Sequence, residues 1–295
     1  MNKEQFDQMA HSAGFIAALD QSGGSTPRAL AGYGITEDQW ATQDEMFDLV
    51  HAMRTRVMTN PAFTSDKIIG AILFEMTMDR TVAGKPTATY LWEEKHIVPF
   101  LKIDKGLADL EDGVKLMKPI PGLDATLDRA VKAGIFGTKE RSVIYEVNAA
   151  GIEKIVDQQF ELARAVCAKG LVPIIEPEVD IHLANRAEAE RILVDSLKRH
   201  LDQLGPDELV MFKLTIPTEP NLYQPLMGHP NLVRIVALSG GFTRDEACEK
   251  LAENTGLIAS FSRALLQGLT AQQTDEEFTA TLRSSIDQIA QASAK

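Results

Sequence analysis

The sequence predicts an α/β protein that folds as a (β/α)8 barrel, the TIM barrel, in a single domain over residues 1–295. Eight short apolar segments recur along the chain, each followed by a helical pattern. No linker or low-complexity stretch interrupts the 295 residues, and barrels commonly reach this length as one domain. Eight strand-then-helix units therefore favour a barrel over an open doubly wound sheet.

The eight apolar segments have the length of buried strands in a parallel sheet. They cover residues 14–20, 67–74, 97–103, 134–138, 171–177, 209–214, 234–239 and 257–262. Capping boxes, which mark helix starts, begin at Thr42, Thr243 and Thr274. Apolar residues between 152 and 167 have helical spacing, and Gly170 is expected to end that helix. We also expect a short helix at the amino end of the chain and a helix at its carboxyl end.

Composition and charge exclude several functional classes. The formal net charge is −12 without a block of Lys or Arg, which argues against nucleic acid or an anionic membrane as the main partner. Cys167 and Cys248 are too few for a disulfide framework and have no metal-binding spacing, as is usual in a reducing compartment. Residues 1–5 are polar, unlike a signal peptide, and no run approaches the roughly 18 apolar residues of a membrane span. We therefore expect a cytoplasmic protein.

Charged or anion-binding groups stand at the ends of nearly all the predicted strands. In chain order they are Asp20, Lys102, Lys139 with Arg141, Glu176 with Glu178, Lys213, Ser239-Gly240-Gly241 and Ser262-Arg263. The carboxyl ends of barrel strands meet at one mouth, where the active sites of this fold lie. These groups are therefore expected to converge on one site.

Lys213 is the candidate nucleophile of that site. It interrupts the apolar run 209–214, and a buried lysine must be paired or lose its proton. The ammonium groups of Lys102, Lys139 and Lys213 in one mouth repel one another, so at least one is expected to lose its proton easily. A neutral lysine forms a Schiff base with a carbonyl, which allows carbon–carbon cleavage when carboxylates supply acid and base. The residues alone leave two alternatives open: a lysine that extends into solvent, and a rim turn with solvated acids at 176–178.

Two glycine-containing turns predict phosphate binding. Ser22-Gly23-Gly24-Ser25 and Ser239-Gly240-Gly241 each precede a helical stretch. Glycines let backbone N–H groups approach an anion at a helix amino end. Such turns are common, so neither is specific alone. Together with Arg263 they predict a substrate with phosphate at both ends.

A catalytic metal and a nucleotide cofactor are not expected. Glu178, Asp180 and His182 alternate and would share one face of an extended segment. The remaining histidines, however, have no ligand spacing such as HxH or HExxH. The sequence also contains no GxGxxG motif and no P-loop, so we expect no cofactor.

Six motifs in this order make the chain resemble class I (Schiff-base) fructose-1,6-bisphosphate aldolases, most of all their short bacterial branch. The resemblance covers nearly the whole chain. The motifs are FIAALD (15–20), FLKIDKG (100–106), VPIIEPE (172–178), FKL (212–214), LSGG (238–241) and SFSRAL (260–265). Each motif is weak singly, but the ordered set is highly specific.

The resemblance implies a role for each catalytic candidate. Lys213 is implied to be the Schiff-base lysine, Glu176 the acid/base glutamate, and Lys139 the lysine that assists carbinolamine chemistry. Asp20 is implied to steer the nucleophile and the C4 hydroxyl, and Glu178 to hold the lysine network. For the ketone-end phosphate the implied residues are Ser239, Gly240 and Arg263, with Gly241 and Ser262 beside them. For the aldehyde-end phosphate they are Ser22, Ser25, Lys102 and Arg141.

The chain departs from the animal members of that family at several positions. Gln21 stands where they usually have glutamate after the aspartate, and Ser262 where a glycine precedes the phosphate arginine. The arginine expected in the helix after Ser25 is displaced, and Arg28 is one position away. Residues 291–295 end the chain without the long tyrosine-ended tail of the animal enzymes, which leaves the group that reprotonates the enamine open.

We expect a metal-independent lyase that reversibly cleaves fructose 1,6-bisphosphate to dihydroxyacetone phosphate and glyceraldehyde 3-phosphate. A related Schiff-base barrel enzyme, such as a tagatose-bisphosphate aldolase or a transaldolase-like transferase, is the alternative. A third hypothesis is a barrel that has lost its catalytic activity and only binds sugar phosphates or a protein partner. The intact set of Lys213, Glu176 and Lys139 disfavours it. Expected partners are small sugar phosphates, and a homo-oligomer is left open.

Overall fold

A closed ring of parallel strands forms the centre of the protein, whose structure is a computed structural model describing residues 2–295. The strands are β1 (Phe15–Leu19), β2 (Ile68–Leu73), β3 (Val98–Lys102), β4 (Gly137–Ile144), β5 (Val172–Val179), β6 (Val210–Thr215), β7 (Leu232–Leu238) and β8 (Ile258–Phe261). Each strand pairs in parallel with the next, and β8 pairs with β1. The predicted (β/α)8 barrel is confirmed.

Helices surround the ring and form most of the connections. The longer ones are α1 (Lys3–His11), α2 (Ser25–Gly32), α3 (Gln43–Thr59), α4 (Leu123–Lys132), α5 (Ala149–Ala168), α6 (Arg186–Leu201), α7 (Arg244–Ala252) and α8 (Asp275–Ala292). Shorter pieces are Glu37–Gln39, Glu75–Met78, Thr87–Thr89, Tyr90–Glu94, Gln224–Leu226 and Arg263–Leu266. Two small antiparallel pairings lie outside the ring, Thr81–Val82 with Lys85–Pro86 and Val114–Lys115 with the end of β4. The connection from β6 to β7 contains only a 3-10 helix, where the sequence pattern predicted a full helix.

The three predicted capping boxes start α3, α7 and α8. In each, the threonine side chain accepts from the backbone N–H of the glutamate three residues later, and that glutamate reaches back to the threonine N–H. Both reciprocal bonds satisfy donors that a helix start leaves unpaired. None of the helices within residues 2–295 is both long and apolar enough to cross a membrane.

The interior of the ring is apolar towards the amino ends of the strands. Side chains such as Ile16, Phe100 and Met211 form a buried cluster there, which Met9 of α1 joins. Helix α1 is also held to the barrel by Arg234, whose guanidinium donates to the carbonyls of two residues at the end of that helix. Because α1 and the apolar cluster fill this end, the carboxyl ends are left for charged groups.

Strand β4 differs from its prediction, because the segment 134–138 was expected and Gly137–Ile144 is observed. Residues 139–142 are all polar, so the run of apolar residues used to predict the strand ended at residue 138, before the strand itself ends. Lys139 and Arg141 therefore lie within the strand on its inner face instead of following it. Strand β5 likewise runs on to Val179 and includes Glu176 and Glu178.

Candidate active site

A cavity of about 520 Å³ opens at the carboxyl ends of the strands. Of the residues that the sequence assigned to the site, all but Gly241 line it. They are Asp20, Ser22, Ser25, Lys102, Lys139, Arg141, Glu176, Glu178, Lys213, Ser239, Gly240, Ser262 and Arg263. Gly241 lines an adjoining pocket of about 380 Å³, which shares Arg263 with the cavity. The fold thus gathers groups from seven strand ends at one place.

Four buried side chains of alternating charge form a continuous chain in this cavity. Lys139 Nζ lies 2.7 Å from Asp20 Oδ2 and 2.8 Å from Glu176 Oε2. The other carboxylate oxygen of Glu176 lies 3.3 Å from Lys213 Nζ. None of the four residues is more than 7% exposed. Two carboxylates and two ammonium groups balance in charge, which makes their burial tolerable.

The neighbours of Asp20 and Lys139 fix the charge of both groups. Burial acts to raise the pKa of Asp20, but Lys139 and then Lys213 outweigh it and hold that pKa below its ordinary value. Burial acts to lower the pKa of Lys139, but Asp20 and Glu176 outweigh it and raise that pKa. At neutral pH Asp20 is therefore a carboxylate and Lys139 an ammonium, which makes Lys139 a cation and not a nucleophile.

A second network of polar contacts holds Lys102 and Arg141. Lys102 Nζ lies 2.7 Å from Asp104 Oδ1, and Asp104 Oδ2 accepts from the backbone N–H of Arg141 at 3.3 Å. Arg141 Nε donates to Glu178 Oε2 at 2.6 Å. Burial lowers the pKa of Lys102 despite the attraction of Asp104. Glu178 was expected to contact the lysine network; its ion-pair partner within residues 2–295 is Arg141 instead.

The turn after β1 is closed by its own serines. Ser25 Oγ accepts from Ser22 N at 2.9 Å and donates to Ser22 O at 2.8 Å. Gly23 has a φ of +53°, which glycine adopts more easily than other residues. The turn leads directly into α2, so the amino end of this helix borders the cavity.

The turn after β7 depends on glycine for space and for backbone conformation. Gly240 has a φ of +62°, and a Cβ there would lie 2.5 Å from Ile181 Cγ2. Arg263 reaches this turn from the start of the short helix after β8, and its guanidinium has no hydrogen-bond or ion-pair partner among residues 2–295. Arg28, the arginine displaced by one position, lines the same cavity.

The family profile described as fructose-bisphosphate aldolase class-I matches residues 7–194. The chain belongs to this family. The fructose-bisphosphate aldolase class 1 of a Synechocystis species is 60% identical over 292 residues, which cover 99% of this chain and 97% of that protein. A class-I aldolase is a lyase that works through a lysine Schiff base.

Two solved structures show that the barrel is shared at low sequence identity. The fructose-bisphosphate aldolase of Plasmodium falciparum, solved with TRAP and a small-molecule inhibitor, aligns with a TM-score of 0.74 at 20% identity. That alignment covers 99% of this chain and 94% of the other. A structural-genomics target from Corynebacterium glutamicum has a TM-score of 0.56 at 14% identity, covering 98% and 92% of the two chains.

Arg54 of α3 is a buried part of this aldolase site that the sequence analysis did not single out. It is completely buried, and its guanidinium donates to Thr77 Oγ1 at 2.8 Å and to the backbone carbonyl of Gln21 at 2.5 Å. Burial lowers the pKa of Arg54 to about 10, against the attraction of Asp20. Its position four residues after Val50, on the apolar face of α3, is the sequence signal that could have revealed it.

Asp104 and Ser260 are two further residues that sequence reasoning missed. Asp104 links Lys102 to the backbone of Arg141, as described above. Ser260 Oγ is buried in the wall of the cavity, and no hydrogen-bond partner for it exists within residues 2–295. Its place in the apolar strand β8, two residues before Ser262, puts it on the inner face of the barrel.

Within residues 2–295, the one group of three potential metal ligands lies outside the cavity. Glu153, Asp157 and His200 lie together where α5 and α6 meet. Their atoms are already engaged, since His200 Nε2 is 2.9 Å from Asp157 and Glu153 pairs with Arg199. The three residues form an ordinary interhelical polar contact.

Proposed function

We propose that this aldolase reversibly cleaves D-fructose 1,6-bisphosphate to dihydroxyacetone phosphate and D-glyceraldehyde 3-phosphate through a Schiff base on Lys213. The observation that carries this assignment is the position of Glu176, whose two carboxylate oxygens contact Lys213 and Lys139 separately. The nucleophile thus has a proton-transferring group at contact distance, and that group is held in place from its other side.

Glu176 has the geometry for the proton transfers of Schiff-base formation. Lys213 Nζ adds to the ketone carbon of the substrate and gives a carbinolamine. Loss of water from this intermediate requires a proton on the departing oxygen, and Glu176 lies within hydrogen-bonding reach of the site. Lys139 remains positively charged beside the developing oxyanion, where a fixed cation stabilises charge in a water-poor cavity.

Asp20 is suited to be the base in carbon–carbon cleavage. Its depressed pKa keeps it ionised at neutral pH, and it contacts the same ammonium of Lys139 as Glu176 does. Removal of the proton from the C4 hydroxyl lets the C3–C4 electron pair move into the iminium as the aldehyde leaves. The resulting enamine then takes up a proton at C3 to become the product imine, and hydrolysis of that imine releases dihydroxyacetone phosphate and frees Lys213.

We place one phosphate at each side of Lys213. Ser239, Gly240 and Arg263 border the cavity near the ketone end, and the unpartnered guanidinium suits a bidentate contact with phosphate. At the other side the turn of Ser22 and Ser25 presents the amino end of α2, where anions bind favourably. Lys102 and Arg141 are assigned to this second phosphate as well.

Two finer parts of the sequence analysis stay predictions, the preference for the fructose over the tagatose epimer and a cytoplasmic location. A homo-oligomeric assembly stays open. A product assay with fructose 1,6-bisphosphate and tagatose 1,6-bisphosphate tests the epimer preference, because the two sugars differ at C4, the carbon whose hydroxyl is proposed to lose its proton to Asp20.

The assignment of Lys213 is tested by reduction with borohydride in the presence of dihydroxyacetone phosphate. We expect a covalent adduct on the peptide that contains Lys213, and loss of both adduct and turnover in Lys213→Ala. The control is Lys132→Ala, which removes an exposed lysine of α4. An adduct on Lys102 or Lys139 would overturn the assignment.

A further inference from the structure

Gln21 follows Asp20 at the end of β1, and both ends of its side-chain amide are held. Its Oε1 accepts from Arg54 Nη2 at 3.3 Å, and the same nitrogen donates to the Gln21 backbone carbonyl. Its Nε2 donates to Ser262 Oγ at 2.6 Å and reaches the Ala18 carbonyl at 3.5 Å. Gln21 is 9% exposed. This amide therefore connects α3 with the residue that precedes Arg263.

The chemistry of Arg54 fixes which way the amide points. A guanidinium only donates hydrogen bonds, so the amide oxygen must face Arg54 and the amide nitrogen must face Ser262. Ser262 Oγ is then an acceptor in this contact. Its own hydroxyl proton has no acceptor among residues 2–295, while Ser262 lines the cavity next to Arg263. The hydroxyl is thus left as a free donor at the ketone-phosphate end.

We propose that Gln21 is a positioning residue for the ketone-end phosphate: it holds the Ser262 hydroxyl as a donor to that phosphate and keeps the neighbourhood of Arg263 free of negative charge. The proposal rests on the function proposed above, since it needs a phosphate at Arg263. Arg54 acts behind Gln21 by fixing the amide.

A glutamate at position 21 would reverse both effects. A carboxylate only accepts hydrogen bonds, so it would take the proton that Ser262 otherwise offers to the phosphate. It would also place a negative charge beside Arg263, with which Gln21 shares the walls of the cavity and of the adjoining pocket.

Trapping of two trioses tests the role of Gln21. Borohydride reduction is followed at increasing dihydroxyacetone phosphate or dihydroxyacetone, which lacks the phosphate. In Gln21→Glu we expect the half-saturating concentration of dihydroxyacetone phosphate to rise roughly tenfold or more, the effect of one lost charged hydrogen bond. Trapping of dihydroxyacetone should stay within about twofold of wild type, because it makes no phosphate contact. Gln291→Glu, which adds the same charge at an exposed position of α8, should change neither.

Ser262→Ala, alone and combined with Gln21→Glu, tests the coupling independently. Alone, Ser262→Ala should weaken the binding of dihydroxyacetone phosphate several-fold. In the Gln21→Glu background it should weaken that binding by less than about a further twofold, because the Ser262 hydroxyl already donates to the carboxylate. Equal effects of Ser262→Ala in both backgrounds would overturn the proposal. The proposal would also be overturned if Gln21→Glu bound dihydroxyacetone phosphate as tightly as the wild type. The same holds if Gln21→Glu raised the half-saturating concentrations of dihydroxyacetone phosphate and dihydroxyacetone by the same factor. A wild-type protein that neither triose labels would instead overturn the proposed function.

Discussion

Replacing Lys139 by methionine removes one ammonium from the middle of the charge chain and leaves most of its side-chain volume. Asp20 and Glu176, which contact that ammonium at 2.7 and 2.8 Å, then remain buried with a single cation of residues 2–295 at ion-pair distance from either of them. That cation is Lys213, which contacts Glu176 alone at 3.3 Å. Asp20 is thus left without an ion-pair partner in the part of the chain that the structure describes.

The expected magnitude follows from burial. Removing one partner of a buried ion pair costs about 3–5 kcal/mol, because an uncompensated charge stays behind. At roughly 2 °C per kcal/mol for a chain of this size, the thermal midpoint should fall by about 6 °C or more. Turnover should fall by about 10²- to 10⁴-fold, since the groups that transfer protons lose their arrangement.

The contribution of Asp20 and Glu176 to the pH dependence of stability should change sign. In the wild type the pKa of Asp20 is depressed, so its stabilising effect is present above the ordinary carboxyl pKa and is lost on acidification. In Lys139→Met two neighbouring carboxylates are buried without that cation, so at least one pKa is raised above its ordinary value. Stability is then greatest at acidic pH and declines as the pH rises, by at most about 1.4 kcal/mol per pH unit for each group.

The assay is the thermal midpoint of wild type and Lys139→Met between pH 5 and pH 8, together with kcat and borohydride trapping at pH 7. The gap in midpoint should widen as the pH rises. Lys132→Met, at an exposed position of α4, is the control and should leave all three quantities unchanged. A variant that keeps turnover within about threefold, or whose gap is constant with pH, would refute this reasoning.

Three further predictions concern metal, substrate ends and a buried acid. Extended dialysis against EDTA should leave kcat unchanged. If activity were lost and a divalent ion restored it, the Schiff-base route would be excluded as the main mechanism. Arg263→Ala should raise KM for fructose 1,6-bisphosphate and weaken the binding of dihydroxyacetone phosphate, each by roughly tenfold or more. The double change Ser22→Ala/Ser25→Ala should spare dihydroxyacetone phosphate and narrow the preference, in kcat/KM, for the bisphosphate over fructose 1-phosphate. Burial raises the pKa of Glu140 well above its ordinary value, so the folded protein disfavours the ionised carboxylate more than the unfolded chain does. The free energy of unfolding therefore decreases as the pH rises above the ordinary carboxyl pKa. Glu140→Gln should therefore melt above wild type by a margin that grows from pH 5 to pH 8.

The barrel and most of the site were accessible from sequence because both depend on a simple periodicity. Apolar runs marked the strands, and charged residues at their ends had to meet at one mouth once the ring closed. Lys213 illustrates this, since it interrupts an apolar run and lies at the carboxyl end of β6. The capping boxes at Thr42, Thr243 and Thr274 were equally legible, since their bonds are local.

The remaining parts depend on contacts between distant segments. Arg54 lies on a helix whose pattern reads as core, and only the closed barrel brings its guanidinium to Gln21. The pairing of Glu178 with Arg141 needs the register of β4 with β5, which the polar residues of β4 concealed. The contact of Gln21 with Ser262 joins positions 241 apart in the chain. The sequence analysis identified Gln21, Glu178 and Ser262 but not the partner of each, and it missed Arg54.

The contacts of the three lysines support the proposal that Lys213 forms the Schiff base. Lys139 contacts two buried carboxylates, and removing its proton would leave Asp20 without an ion-pair partner among the described residues and Glu176 with Lys213 alone. Burial lowers the pKa of Lys102, but its carboxylate neighbour Asp104 is fixed by the backbone N–H groups of Gly106 and Arg141 and has no second ammonium at ion-pair distance within residues 2–295 to balance it. Lys213 contacts Glu176, which keeps Lys139 as its partner when Lys213 becomes neutral. Of the three amines, Lys213 thus combines a neighbouring acid/base group with a charge balance that survives the reaction.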